Sequence, residues 1–113
     1  MPVSAARARK LLLRFDDARE APHFDRVAFR TPRRIFATLA DDGRDVNFMF
    51  DPLDQESFCE MAPTMLAPVA GGWGRMGATR CDLRKVDEPT FLAASEAAHA
   101  RASQPRPSRR AKR

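Results

Sequence analysis

Gly72, Trp73, Gly74, Arg75, Met76 and Gly77 follow the pattern G-x-G-x-x-G, a spacing that in dinucleotide-binding folds lets the backbone approach a pyrophosphate. That chemistry needs the glycines to sit between a strand and the N-terminus of a helix. Here the segment that follows, Ala78 to Leu83, itself reads as a strand. The motif is therefore read as a flexible loop presenting Trp73, the one tryptophan of the chain. No Gly-Lys-Ser/Thr ending turns it into a P-loop, and no cofactor is expected.

Nucleophilic catalysis needs a Ser or Cys beside a His that a carboxylate orients. The histidines are His23, in a loop, and His99, near the end of a helix. No local signature joins either one to Cys59, Cys81 or a serine. The adjacent carboxylates Asp16 with Asp17, and Asp41 with Asp42, stand at a helix end and in a turn, whereas glycosidase acid and base groups oppose each other across a cleft. His23, His99, Cys59 and Cys81 lack metal-ligand spacing, and two separated cysteines read as buried thiols rather than a disulfide framework. The expectation is a protein that is not an enzyme and holds no metal.

Basic residues remain. Arg30, Arg33 and Arg34 surround one hairpin turn, and Arg75, Arg80, Arg84 and Lys85 surround the last strand. Brought to one sheet edge, they and Trp73 would give a phosphate-contacting surface with a stacking platform. The bland alternative is solvated surface arginine.

These clusters are positioned by short, alternating elements. Val3 to Phe15 has apolar residues at helical spacing with Ser4 as N-cap. After the loop AREAPHF, Arg26 to Arg30, Ile35 to Leu39 and Val46 to Phe50 read as strands of a three-stranded antiparallel meander. Asp51 and Pro52 open a second helix, whose apolar side is Leu53, Phe58 and Met61 and which Pro63 ends. Pro63 to Gly77 reads as an irregular loop around one short strand, and Ala78 to Leu83 as a further strand. Asp87 caps a third helix with Phe91, Ala94, Ser95 and Ala98 on one face. The order describes a two-layer α+β domain, an antiparallel sheet with helices packed on one face.

The chain has 113 residues, room for one domain. Its net charge of +5 comes from 20 cations and 15 acids. Residues 101–113 carry six cations and no acid, so residues 1–100 hold 14 cations against 15 acids and are close to neutral. The boundary is therefore set at residue 100, with 101–113 a disordered basic C-terminal tail whose Arg109 and Arg110 would add sequence-independent attraction to nucleic acid. Arg outnumbers Lys by 17 to 3, which suits phosphate recognition but also fits a compositional bias. No apolar run approaches the roughly 20 residues of a membrane span, and no signal-peptide pattern opens the chain. A cytoplasmic location and no membrane partner are expected.

The PHFDRVAFR segment, the RRIFATL strand, the DG turn, FDP before a helix, the WGRMG loop and a closing helix from Asp87 occur in this order over residues 5 to 100. In this the sequence resembles the MmcQ/YjbR-like family of small bacterial domains. The resemblance implies a compact α+β fold with an antiparallel sheet and a DNA-binding role. The sequence departs from the family pattern at Met49, where a Lys is common, and at Ala78, where an aromatic is common. The functional expectation is non-enzymatic DNA binding through Arg30, Arg33, Arg34, Arg75 and Arg80, with Trp73 beside them. The alternative is a module that binds a protein partner, a second copy of itself or a small ligand through the Trp73 loop.

Overall fold

The computed structural model describes residues 2–105. Its elements, in chain order, are α1 (Ala5–Leu12), β1 (Arg19–His23), β2 (Arg26–Arg30), β3 (Ile35–Ala40), β4 (Asp45–Met49), α2 (Pro52–Met61), β5 (Leu66–Pro68), α3 (Gly72–Arg75), β6 (Ala78–Asp82) and α4 (Glu88–Ser103). The strands form one antiparallel sheet in the order β1-β2-β3-β4-β6-β5. The two-layer α+β architecture is the expected one. Among the described residues, no helix is long and apolar enough to cross a membrane.

The helix starts follow from their caps. The side chains of Ser4, Asp51 and Asp87 accept the N–H groups of Arg7, Asp54 and Thr90 at 3.0, 2.8 and 2.8 Å, satisfying donors that the first turn leaves without partners. Period-two alternation then decides which side of each strand is buried. Val27, Leu39, Val46, Cys81 and Leu66 lie opposite one another across five strands. Phe29, Ala37, Phe48 and Thr79 form the next row on the same face. Buried Phe91 of α4 meets Phe48 with ring centroids 5.4 Å apart. The register shifts at Phe29/Arg30, leaving Phe36 outside the pairing as the extra residue of a bulge. Phe36 and Ala37 are both fully buried in consequence, and the strand re-enters its alternation at Ile35.

The structure corrects several local expectations. The meander has four strands, because Arg19–His23 pairs with β2 instead of forming a loop. Its composition, REAPH, hides it: Pro22 is tolerated because β1 has a neighbour on one side only. Helix α2 has no buried residue, and Leu53 and Met61 of its expected apolar side are 77% and 64% exposed. Only Phe58 of that set packs, its ring stacked on Phe50 at 4.9 Å. The stretch 63–77 contains the short helix α3 as well as β5. Helix α4 passes residue 100 and runs to Ser103, with Ala102 fully buried. Arg101 thus belongs to the fold, and the described part carries 15 cations and 15 acids.

Candidate functional site

One sheet face is covered by helices, and the other is open. Arg26 and Arg30 of β2, Ile35 and Thr38 of β3, Asn47 and Met49 of β4, and Ala78 of β6 stand on that open face and line a cavity of about 910 Å³. The cavity continues past the sheet onto Arg33 and Arg34 of the β2–β3 turn, Arg101 of α4, and Trp73 and Met76 at α3. Its lining holds five arginines and, among the described residues, no carboxylate.

The arginine end is built on a buried hydroxyl. Thr31 is 1% exposed. Its Oγ1 accepts from the N–H groups of Arg33 and Arg34 at 3.1 and 3.2 Å and donates to the Ala102 carbonyl at 2.9 Å. The turn closes with the Thr31 N–H donating to the Arg34 carbonyl at 2.8 Å. An Arg34 guanidinium nitrogen donates to the Gln104 carbonyl at 3.0 Å. One threonine therefore ties the arginine turn to the last turn of α4, which brings Arg101 alongside. Arg30 uses its Nε on the Thr31 carbonyl at 3.2 Å. Neither Arg30, Arg33 nor Arg101 forms an ion pair with a carboxylate among the described residues.

The opposite end is apolar and aromatic. Trp73 and Met76 are 70% and 66% exposed. They are held by glycines that perform a packing task. A Cβ on Gly74 would lie 1.6 Å from the Val69 carbonyl oxygen, and one on Gly77, whose φ is +117°, would lie 2.0 Å from that of Phe50. The Gln55 side-chain amide donates to the carbonyls of Gly74 and Ala78 at 2.7 and 3.1 Å, joining α2 to the turn that carries the indole. The G-x-G-x-x-G segment is thus a short helix wedged against its neighbours, not a flexible loop.

The expected site residues separate accordingly. Arg30, Arg33, Arg34 and Trp73 come together in one cavity. Arg80 does not join them. Its Nε donates to Asp45 at 3.1 Å, and its guanidinium lies 4.0 Å from Asp82. Arg75 is exposed on α3 outside the lining, and Arg109 and Arg110 lie outside the described residues. Sequence reasoning missed Arg26, Arg101, His23 and Thr38. Arg26 is held on the cavity wall by Thr38 Oγ1 at 2.7 Å and Asp45 Oδ1 at 2.7 Å. The period-two placement of Arg26 beside Arg30 was the available signal. The arginines of α1 and Arg14 just after it are occupied elsewhere: Arg7 pairs with Glu88 at 2.8 Å, Arg9 with Glu20, and Arg14 with Glu96 at 3.4 Å.

The groups suited to covalent chemistry are apart from the cavity or quenched. Cys81 is buried in the core, and desolvation, reinforced by nearby Asp82, pushes its thiol up to about 12. Burial also raises Cys59. His99 Nε2 is 2.8 Å from Asp17 Oδ1, and its ring lies flat on Phe15 at 3.9 Å. That hydrogen bond holds the Asp17 carboxyl below the usual carboxylate range.

No protein-family model matches the chain, and no curated protein matches it in sequence. Among solved structures, the chain is similar in fold to Deinococcus radiodurans protein DR2400, a DUF419 domain. The match has a TM-score of 0.74 at 12% sequence identity and covers 97% of this chain and 86% of that one.

Proposed function

We propose that the open sheet face is a nucleic-acid-binding surface of a non-enzymatic protein, in which Arg30, Arg33, Arg34 and Arg101 contact phosphates. The observation that carries this reading is a concave wall of five arginines with no carboxylate in its lining, Asp45 reaching only Arg26 among them, while the described residues sum to zero net formal charge. Such segregation of one sign of charge focuses the field on the concave side and attracts anions. The planar guanidinium fork matches phosphate oxygens. The basic tail containing Arg109 and Arg110 adds non-specific attraction.

Membership of the MmcQ/YjbR-like family forms part of this proposal and rests on the ordered sequence motifs, with the fold likeness to a DUF419 domain as support. Met49 and Ala78, the two departures from the family pattern, both line the cavity. Met49 puts an apolar side chain where a cation would otherwise stand, and Ala78 leaves open the space an aromatic would fill.

The test is a salt titration of DNA binding by the full chain, an Arg30→Ala/Arg33→Ala/Arg101→Ala variant and an Arg109→Ala/Arg110→Ala variant. Phosphate contacts give a log–log salt slope of about −0.7 to −0.9 each. The triple variant is expected to lose roughly 2 from the slope magnitude. An unchanged slope there, with loss confined to the tail variant, would assign all binding to the tail and reject the sheet face.

A further inference from the structure

The cavity has two chemically different ends, and from this we infer that it takes an unpaired nucleobase with its attached phosphates, presented by a single strand. The inference rests on the nucleic-acid reading of the same face and narrows it.

A duplex keeps its base faces stacked inside and offers phosphates along its length. An all-phosphate ligand would use Arg30, Arg33 and Arg101 and leave the other end of the cavity without a partner. That end consists of the exposed Trp73 indole and Met76, with Met49 on the floor beside them. A flat, polarizable base matches an indole and thioethers, and stacking on an aromatic side chain is the common device for unpaired bases. Asn47, half-buried between the two ends, offers hydrogen-bonding groups for a base edge or a sugar.

A second aromatic extends the path. Phe24, at the tip of the β1–β2 hairpin, is 96% exposed, and its φ of +59° is rare for a bulky residue. Its ring meets that of His23, a cavity-lining residue, at 5.2 Å. Strands β1 and β6 are four spacings apart in the sheet, roughly 19 Å at about 4.8 Å per spacing. That is about five nucleotides at the ~3.4 Å per nucleotide of a stacked strand, and fewer in an extended one. Phe24 and Trp73 therefore suit different bases of one strand better than one free nucleotide.

The experiment compares four ligands on the full chain at one low salt concentration: a 12-nucleotide dT strand, an abasic 12-mer, a blunt duplex of equal length, and free dTMP. Trp73 is the only tryptophan and tyrosine is absent, so intrinsic fluorescence reports the indole directly. The dT strand is expected to quench Trp73 and to bind about 10-fold or more tighter than the abasic strand or the duplex, as one stacked base implies. Trp73→Ala should bring dT down to the abasic level without changing abasic affinity, Trp73→Phe should restore most of the difference, and Arg33→Ala should weaken both strands alike. Equal affinity for dT, abasic strand and duplex, or indifference to Trp73→Ala, overturns the inference while leaving nucleic-acid binding intact. Absence of binding to any of the four overturns both. dTMP binding as tight as the dT strand overturns the strand and makes a free nucleotide the ligand.

Discussion

The Gln55 side-chain amide donates to the Gly74 carbonyl at 2.7 Å, fastening α2 to the turn that presents Trp73. The same nitrogen also donates to the Ala78 carbonyl at the start of β6. Gln55→Ala is expected to destabilise the fold by about 0.5–1.5 kcal/mol, the usual net worth of a hydrogen bond, since the Gly74 and Ala78 carbonyls keep the backbone N–H groups of Gly77 and Val69 as partners. It should also make the Trp73 indole more mobile. Urea melts combined with time-resolved Trp73 anisotropy check both. Loss of stability with unchanged anisotropy would mean that Gly74 and Val69 hold α3 without Gln55.

The glycines of the G-x-G-x-x-G segment are expected to differ in tolerance. Gly74→Ala and Gly77→Ala place a Cβ against the backbone oxygens of Val69 and Phe50 and should each cost roughly 2–4 kcal/mol. Gly72→Ala meets only the Arg75 guanidinium at 3.6 Å and should be close to neutral. A phosphate-cradling role for the motif predicts the reverse pattern in a binding assay, with Gly72→Ala impairing the ligand.

Arg33 and Arg80 were alike as sequence candidates and are expected to behave differently. Arg80 faces Asp45 and Asp82, whereas Arg33 is exposed without a carboxylate partner among the described residues. Arg33→Ala should reduce the salt slope of nucleic-acid binding by about 0.7–0.9. Arg80→Ala should leave it nearly unchanged, because Asp45 and Asp82 already compensate the Arg80 charge. Equal losses in the two variants would contradict the division of charge described here.

The end of α4 decides where the chain can be cut. Removing residues 101–113 deletes buried Ala102 and takes from the Thr31 hydroxyl its shorter acceptor, leaving it only the Arg34 carbonyl at 3.3 Å. This is expected to destabilise by about 1–3 kcal/mol and to loosen the arginine turn. Removing only 106–113 keeps both interactions. Thermal melts of the two truncations, with the full chain as reference, give the comparison, and equal melting temperatures would refute the role assigned to Thr31.

Acid should weaken the fold through carboxyls that it holds below their ordinary range. Asp87 is lowered by hydrogen bonds from Thr90, Glu88 by its hydrogen bond and charge interaction with Arg7, and Asp17 by its hydrogen bond to His99. A depressed native value means that the unfolded chain binds more protons, so stability is complete above the unfolded values of about 3.9 for Asp and 4.3 for Glu and falls as pH drops through the native ones. Urea midpoints should therefore decline below about pH 4. Asp87→Asn keeps a capping oxygen and should make that decline shallower.

Local chemistry was readable wherever the deciding partner was near in sequence. Ser4, Asp51 and Asp87 cap the helices expected of them, and the alternation through β2, β3 and β4 places the right residues inside. Strand β1 was not readable, since nothing in REAPH favours a strand until β2 offers its edge. Leu53 and Met61 looked like a core face because helical spacing reports only that residues share a side, not that a neighbour covers it.

By itself the sequence determined the α+β class, the helix starts and the separation of a basic C-terminal end from a near-neutral domain, because capping, period-two alternation and net charge depend on the residues and their immediate neighbours. Only the tertiary structure decided which arginines lie together. Arg30, Arg33, Arg34 and Arg101 meet because Thr31 bridges residues some seventy positions apart, and Arg80 is withdrawn because the β4–β6 pairing sets it beside Asp45. Coulomb attraction depends on distance in space, and strand order, not sequence spacing, fixes that distance.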